Sequence, residues 1–292
     1  MLPGNLESTV EQLLEEHFGG QFRLMNVSTV GGGCIHHATR LETNRGDYFL
    51  KYNQPKEVEN FRAEARGLKL LAEAEELPVP EVIAVGDNGE RSYILMEFLA
   101  AAPRAKDFWQ AFGQGLAALH RYTQAEFGLD HHNYIGRLRQ RNQPHRDWID
   151  FFVQERLEFQ LELAETSGVA PKDLRPALER LYPRLRDLIP YEPPSLLHGD
   201  LWSGNFLVGP QGQACIVDPA IYYGHREAEI AFTRLFGGYS PTFYQAYHEA
   251  WPLQSGWENR VPLMNLYPLM VHLNLFGRGY LPDIQAILTK FA

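Results

Sequence analysis

The chain has 292 residues, 45% hydrophobic and 22% charged, which is enough apolar sequence for one large or two ordinary packed domains and argues against disorder. Its 27 basic and 36 acidic residues leave a net charge of −9, which repels phosphate polyanions and excludes a general nucleic-acid binder, though not a small anionic ligand held in a local pocket. Two cysteines, Cys34 and Cys215, make neither a disulfide framework nor a zinc site. The acidic, amphipathic start lacks a signal peptide's basic and apolar regions, and no apolar run is long enough to cross a bilayer, so the expectation is a cytoplasmic protein with no membrane partner.

In chain order, residues 7–18 read as a helix with Leu13, Leu14 and Phe18 on one side and Gly19-Gly20 as its stop. Three β-rich segments follow at 22–30, 35–43 and 47–53, joined by Gly31-Gly32-Gly33 and by Asn44-Arg45-Gly46-Asp47. A helix from about Glu57 to Glu75 ends before Pro78 and Pro80, and strands at 81–86 and 91–98 flank Asp87-Asn88-Gly89. Beyond Leu99 the period changes. Helical patterns run at 107–122, 145–166, 173–188, 225–236, 241–250 and 259–276, with short strand signals only at 206–208 and 214–217. Strands gathered before helices predict an α+β protein with a small antiparallel-sheet lobe, 1–99, and a larger helical lobe, 100–292.

The densest chemical signal is His198-Gly199-Asp200-Leu201-Trp202-Ser203-Gly204-Asn205, on a loop after Pro193-Pro194. Its D-x-x-x-x-N spacing is that of a kinase catalytic loop, where a carboxylate takes the proton of the attacking hydroxyl and an amide oxygen binds Mg²⁺. Asp200 suits the first role and Asn205 the second. Thirteen residues on, Ile216-Val217-Asp218-Pro219-Ala220 ends a short apolar strand with a carboxylate, the position of a kinase's main Mg²⁺ ligand. Mg²⁺ takes oxygen donors and only one or two protein carboxylates, which Asp218 with Asn205 satisfies. Each motif alone reads more simply as a turn or a helix cap; their order and spacing favour chemistry. These three side chains are expected to converge on one magnesium–nucleotide cleft between the lobes.

The sheet lobe is expected to hold ATP. Lys51, on the third strand, reaches the phosphates, and Glu64, in the next helix, holds it in place. Gly31, Gly32 and Gly33 form the phosphate-covering loop. Met96, Glu97 and Phe98 end the lobe, where backbone groups pair with adenine.

The stretch HGDLWSGNFLVGPQGQACIVDPAIYYGHREAEIAFTRLFGGY closely resembles the fructosamine kinase (ketosamine-3-kinase) family, as do VGGGCIHHATRLET, NYIGRLRQRN and HLNLFGRGY elsewhere in the chain. The resemblance implies a protein-kinase-like fold. It also implies that ATP and Mg²⁺ are used to phosphorylate the sugar 3-hydroxyl of a ribulosamine or fructosamine, free or on protein, giving an adduct that falls apart and so repairs glycation. By the same resemblance Asp200 is the base, Asn205 and Asp218 bind Mg²⁺, and Lys51 and Glu64 position ATP. His36-His37 depart from the polar or acidic pair common after GGGxI. The alternatives are an aminoglycoside- or choline-type small-molecule kinase, which shares HGD and the later Asp but not YYGHRE, and a nucleotide-binding pseudokinase module.

Trp202 either stacks on an acceptor sugar or packs beneath the loop. Tyr223, His225 and Glu227 either shape the acceptor pocket or, with Arg226, hold the loop. Asn133, Tyr134 and Gly136, between helices, either face the acceptor or form a surface loop, whereas the spacing of His272, Asn274, Phe276 and Tyr280 favours core. Cys34, beside the glycines, is either a redox-sensitive thiol whose oxidation blocks ATP or a buried strand residue. Gly199 replaces the Arg that reads a phosphorylated activation loop in HRD kinases, so no phosphorylation switch is expected.

Overall fold

The structure, a computed structural model, describes residues 2–31 and 36–292. It falls into two units, Met1–Phe108 with Gly204–Pro219, and Trp109–Ser203 with Ala220–Ala292. This differs from a division at residue 99. The first unit reclaims the hairpin Phe206–Val208/Ala214–Ile216 from the later sequence. The hairpin is tied there by Ile216 N–H to Pro78 O (2.9 Å), by Ala105 N–H to Gly212 O (2.9 Å) and by Phe108 on Phe206 (6.1 Å between rings).

The first unit is an antiparallel sheet of β1 (Leu24–Thr29), β2 (His37–Thr43), β3 (Gly46–Asn53), β4 (Val82–Asp87) and β5 (Ser92–Glu97), in the order β1-β2-β3-β5-β4. Successive side chains of a strand face opposite sides. Leu50 and Leu95 join one core with helix α1 (Leu6–Phe18), while Ile94 and Met96 join another with Phe61 and Leu68 of helix α2 (Val58–Glu73). The buried stripe of α1 is Leu6-Val10-Leu14, at i, i+4, i+8, and Phe18, expected on that face, is exposed at the helix end.

The second unit is helical, its core drawn from Trp148, Phe151, Leu161, Leu178, Leu266 and Ile284 among others. Periodicity predicts one helix over 145–166. The structure has Trp148–Phe151, a π-helical stretch Phe152–Glu158 and Phe159–Thr166. Arg156 points inward from the π stretch, its guanidinium over the rings of Tyr222 (4.1 Å) and Phe151 (4.5 Å) and bonded to Asn142 Oδ1 (2.9 Å). Two strand pairs, Asn133–Ile135/Leu138–Gln140 and Ser195–Leu197/Tyr222–Gly224, escape the sequence pattern: three residues show no alternation, and neither pair has on both strands the apolar run that marks 206–208 and 214–217. Among the described residues no helix is long and apolar enough to cross a membrane.

Candidate active site

In the first unit the pairing register fixes the direction of Lys51. It lies opposite Ile94, and antiparallel partners share a face, so Lys51 points to the side that carries Phe61. On α2, Phe61, Glu64 and Leu68 follow at i, i+3, i+7 and form the sheet-facing stripe. The expected pair is therefore present: Lys51 Nζ donates to Glu64 Oε1 at 2.7 Å and also to Asp218 Oδ1. Burial pulls the ammonium's pKa down, but the Asp218 and Glu64 carboxylates outweigh it and hold the pKa above its usual value.

Asp218 has φ +56°, one of two positive values among the described non-glycine residues. Left-handed backbone costs a residue with a Cβ about 1–2 kcal/mol, and a cost held in place by its surroundings is a pointer to function. The neighbouring hairpin brings Asn205 to the same end. Phe206 pairs with Ile216, and one step outward Val217 N–H donates to Asn205 O at 3.0 Å. Asp218 and Asn205 are hard oxygen donors of the kind Mg²⁺ takes. Among the described residues no group of three His, Cys, Asp or Glu makes a metal site, so a cation here would rest on one carboxylate, an amide oxygen and outside ligands.

His36 flanks this cluster. Asn53 Nδ2–H donates to its Nδ1 (2.9 Å), and its ring lies 4.6 Å from that of Phe61. Burial first, then the charge of Lys51, lowers its pKa to about 4, so the departure from the family pattern places a neutral ring here, not a second cation. Of the glycine triplet, Gly31 is exposed; Gly32 and Gly33, like Cys34 and its redox role, lie outside the described residues. At the end of β5, Met96 is buried against α2 and Phe98 lies under Arg40 (4.9 Å). Glu97 N–H already donates to Glu81 O (2.9 Å) and is committed within the sheet, so an adenine would pair with other backbone groups of this segment.

In the second unit, His198-Gly199-Asp200 leaves the strand Ser195–Leu197 and is anchored by a residue the sequence reading did not single out. The carboxylate of Glu229, on the helix Arg226–Leu235, accepts from His198 N–H (3.0 Å) and Gly199 N–H (2.7 Å). It also accepts from His120 Nε2–H (3.0 Å), whose Nδ1 pairs with the Tyr247 hydroxyl (2.8 Å). Burial acts to raise the Glu229 carboxyl, but the His120 bond, the neighbouring histidines and the Gly199 N–H hold its pKa below the usual range. His198 completes the clamp: its Nδ1 accepts from Asp200 N–H (3.3 Å) and its O from Ala220 N–H (2.9 Å).

Gly199 has φ +83°, and a Cβ there would collide with the Ala220 carbonyl oxygen. Position 199 thus excludes every side chain, an activation-loop-reading Arg included. Gly199→Ala is expected to lower stability by at least about 2 kcal/mol, seen as a lower urea midpoint at unchanged m. An unaltered midpoint would contradict this geometry.

The acceptor candidates divide. Trp202 is partly exposed, with Phe236 edge-on at 6.3 Å. Tyr223 is buried in a strand, its backbone paired with Gly128. His225 and Glu227 turn inward. His225 caps the helix by accepting from Glu227 N–H (3.2 Å), and its Nε2–H donates to Pro190 O (3.1 Å). Glu227 holds Arg260 through two bonds of 2.6 and 2.7 Å. Both serve the frame, because a dense polar run resembles surface only until its partners, distant in sequence, are known. Asn133 is likewise internal, donating to Ile221 O (2.7 Å).

A model of the family described as fructosamine kinase matches residues 6–292. The chain is 38% identical over 283 residues to a Synechocystis protein named a probable ketoamine kinase, covering 97% of this chain and 95% of the relative. It superposes with TM-score 0.87 and 27% identity on a crystal structure from Haemophilus somnus, provisionally named fructosamine-3-kinase, covering 98% of this chain and 99% of that one. An aminoglycoside phosphotransferase in ternary complex with AMP-PNP and hygromycin B shares the fold at TM-score 0.64 and 16% identity, over 98% of this chain and 99% of that one. The fold is the protein-kinase-like one that the family resemblance implies, an α+β arrangement as the element pattern predicts.

Proposed function

Since the chain belongs to the fructosamine kinase family and is a kinase-type phosphotransferase, we propose that it transfers the γ-phosphoryl group of ATP to the sugar 3-hydroxyl of a ketoamine. The observation that carries the chemistry is the Lys51–Glu64–Asp218 cluster, an ammonium held between two carboxylates, one of them on strained backbone. The acceptor reading rests on the family match over residues 6–292.

Bound Mg²⁺–ATP supplies the phosphoryl group and screens its charge. Lys51 donates to the nucleotide's phosphates, kept protonated and oriented by Glu64. Asp218 and Asn205 would offer their oxygens to the cation. Asp200 accepts the proton of the attacking hydroxyl as its oxygen bonds to phosphorus, the bond from phosphorus to the bridging oxygen breaks, and ADP leaves. Glu229 and His198 keep Asp200 in place throughout. The 3-phosphate adduct would eliminate inorganic phosphate and, on addition of water, release its amine from a dicarbonyl sugar fragment, so the net result on a glycated amine would be deglycation.

A phosphotransfer assay over ribulosamine, fructosamine and aminoglycoside acceptors tests this. Phosphate is expected on the ketoamines. Transfer to aminoglycosides alone, or to none of the three, would overturn the acceptor reading.

A further inference from the structure

In a chain of net charge −9, residues 131–146, HHNYIGRLRQRNQPHR, carry four arginines and three histidines but no Asp or Glu. The hairpin Asn133–Ile135/Leu138–Gln140 lies within this stretch, and its register sorts the side chains. Antiparallel partners share a face, and successive residues alternate. Asn133 with Gln140 and Ile135 with Leu138 face inward. Tyr134 with Arg139 faces outward, and the turn Gly136-Arg137 (Gly136 φ +57°) is exposed. The inner face is pinned: Gln140 Nε2–H donates to Asn133 Oδ1 and to Ala220 O (both 2.9 Å), and the Tyr267 hydroxyl donates to Gln140 Oε1 (2.7 Å). The outward arginines therefore stand on a fixed backbone, which lowers the ordering cost of binding a partner.

Most of the charge in this stretch is paired. His131 meets Asp130 (2.5 Å), Arg146 meets Glu126 (3.6 Å), and Arg141 and His145 meet the buried Glu155 (3.0 and 3.3 Å). Arg137 and Arg139, between them, have no carboxylate within 4.0 Å among the described residues. Arg137 gives one N–H to Leu275 O (3.2 Å), a neutral acceptor that leaves its charge uncompensated. The field of the arginines is felt at His132, whose pKa is lowered by burial first and then by the charge of Arg139.

The hairpin adjoins the chemistry within the same unit. Ile135 lines the cavity that Gly199, Asp200 and Glu229 also line. From that wall to Arg137 is two residues, at most about 7 Å of chain. A ketoamine borne on a lysine brings a polypeptide with it, so chain flanking the modified lysine is within reach of the arginines. The acidic balance of the whole protein repels a long polyanion such as a nucleic acid, or an anionic membrane, whereas a short acidic segment meets the arginines alone.

We propose that Arg137 and Arg139, on the exposed side of the hairpin, form a docking surface for acidic residues that flank a ketoamine-bearing lysine in a polypeptide. This rests on the proposed function and names the class of acceptor: a protein-bound ketoamine in an acidic sequence context. The arginines act on the carrier polypeptide and take no part in the phosphoryl step.

The test uses two peptides with the same ketoamine on a central lysine, one flanked by Asp and Glu, the other by Asn and Gln, and the ketoamine of a simple alkylamine as control. The whole enzyme is expected to show a KM about fivefold lower for the acidic peptide at low salt, with the preference fading at about 0.5 M salt. Arg137→Gln with Arg139→Gln is expected to bring the preference below about twofold while kcat and the KM for the alkylamine adduct hold, and Arg137→Lys with Arg139→Lys to keep most of it. Equal KM values for the two peptides in the wild type, or equal losses on both in the Gln variant, overturn the docking surface. A preference of the same size for the ketoamine of a free amino acid over that of the alkylamine, lost in the Gln variant, assigns the arginines to the acceptor's own carboxylate and also overturns it. Tighter binding of an oligonucleotide or of phosphatidylserine vesicles than of the acidic peptide does the same. If no ketoamine is phosphorylated at all, the functional reading fails by itself. The surface is then judged by calorimetric titration of the two peptides: a preference for the acidic one that the Gln variant abolishes supports it, and equal affinities overturn it.

Discussion

Asp200→Asn is expected to lower kcat for ketoamine phosphorylation by about a thousandfold, within the range that removal of a general base produces. The amide keeps the shape of the carboxylate and can still accept a hydrogen bond from the acceptor hydroxyl, but it cannot take its proton. The lost interaction exists only as the proton moves, so the loss appears in kcat and kcat/KM together, with KM close to the wild-type value. Affinity for the nucleotide is expected to stay, because Lys51, Glu64, Asn205 and Asp218 are untouched. Equilibrium binding of an ATP analogue alongside single-turnover kinetics makes the check. A fall in kcat of less than tenfold removes Asp200 from the role of base. A wild type that binds the nucleotide but transfers no phosphoryl group is the pseudokinase outcome.

Much of the candidate site is legible in the sequence, for identifiable reasons. Asp200, Asn205 and Asp218 stand out as candidates because a phosphoryl-transfer site needs particular residue types at short, fixed spacing, and short spacing survives in a linear string. Lys51 and Glu64 are legible through two periods, the alternation of a strand and the 3.6-residue turn of a helix, which aim both at the layer between sheet and helix. Glu229 and His120 are not. They are 109 residues apart, and each is an ordinary polar residue until folding buries it beside unpaired backbone N–H groups. His225 and Glu227 mislead in the opposite sense, since their partners Pro190 and Arg260 are 35 and 33 residues away. The division of the chain is obscured likewise, because the return of the Phe206–Ile216 hairpin to the first unit rests on its hydrogen bonds to Pro78 and Ala105.

Glu229→Ala is expected to be the most destabilising of these substitutions, by about 3–5 kcal/mol, because it strands three buried donors at once: His198 N–H, Gly199 N–H and His120 Nε2–H. For a chain of this size that is a drop in Tm of roughly 10 °C. Glu229→Gln separates charge from shape. Its oxygen still accepts from one donor, but its NH₂ meets another donor head-on, so it is expected to lose less stability than Ala and to keep a loosened loop. The pH dependence carries the sign. The folded pKa of Glu229 lies below that of an unfolded glutamate, so its ionised form stabilises the fold at pH above the unfolded value of about 4.3, and the contribution is lost as pH falls through the folded pKa. The stability gap between wild type and Glu229→Gln is therefore full at pH 7, starts to narrow below about 4.3 and closes at more acid pH. Urea unfolding at a series of pH values measures it. A gap that stays constant down to the acid transition would mean that the carboxylate's charge does not hold the loop, and that Asp200 owes its position to Gly199 and His198 alone.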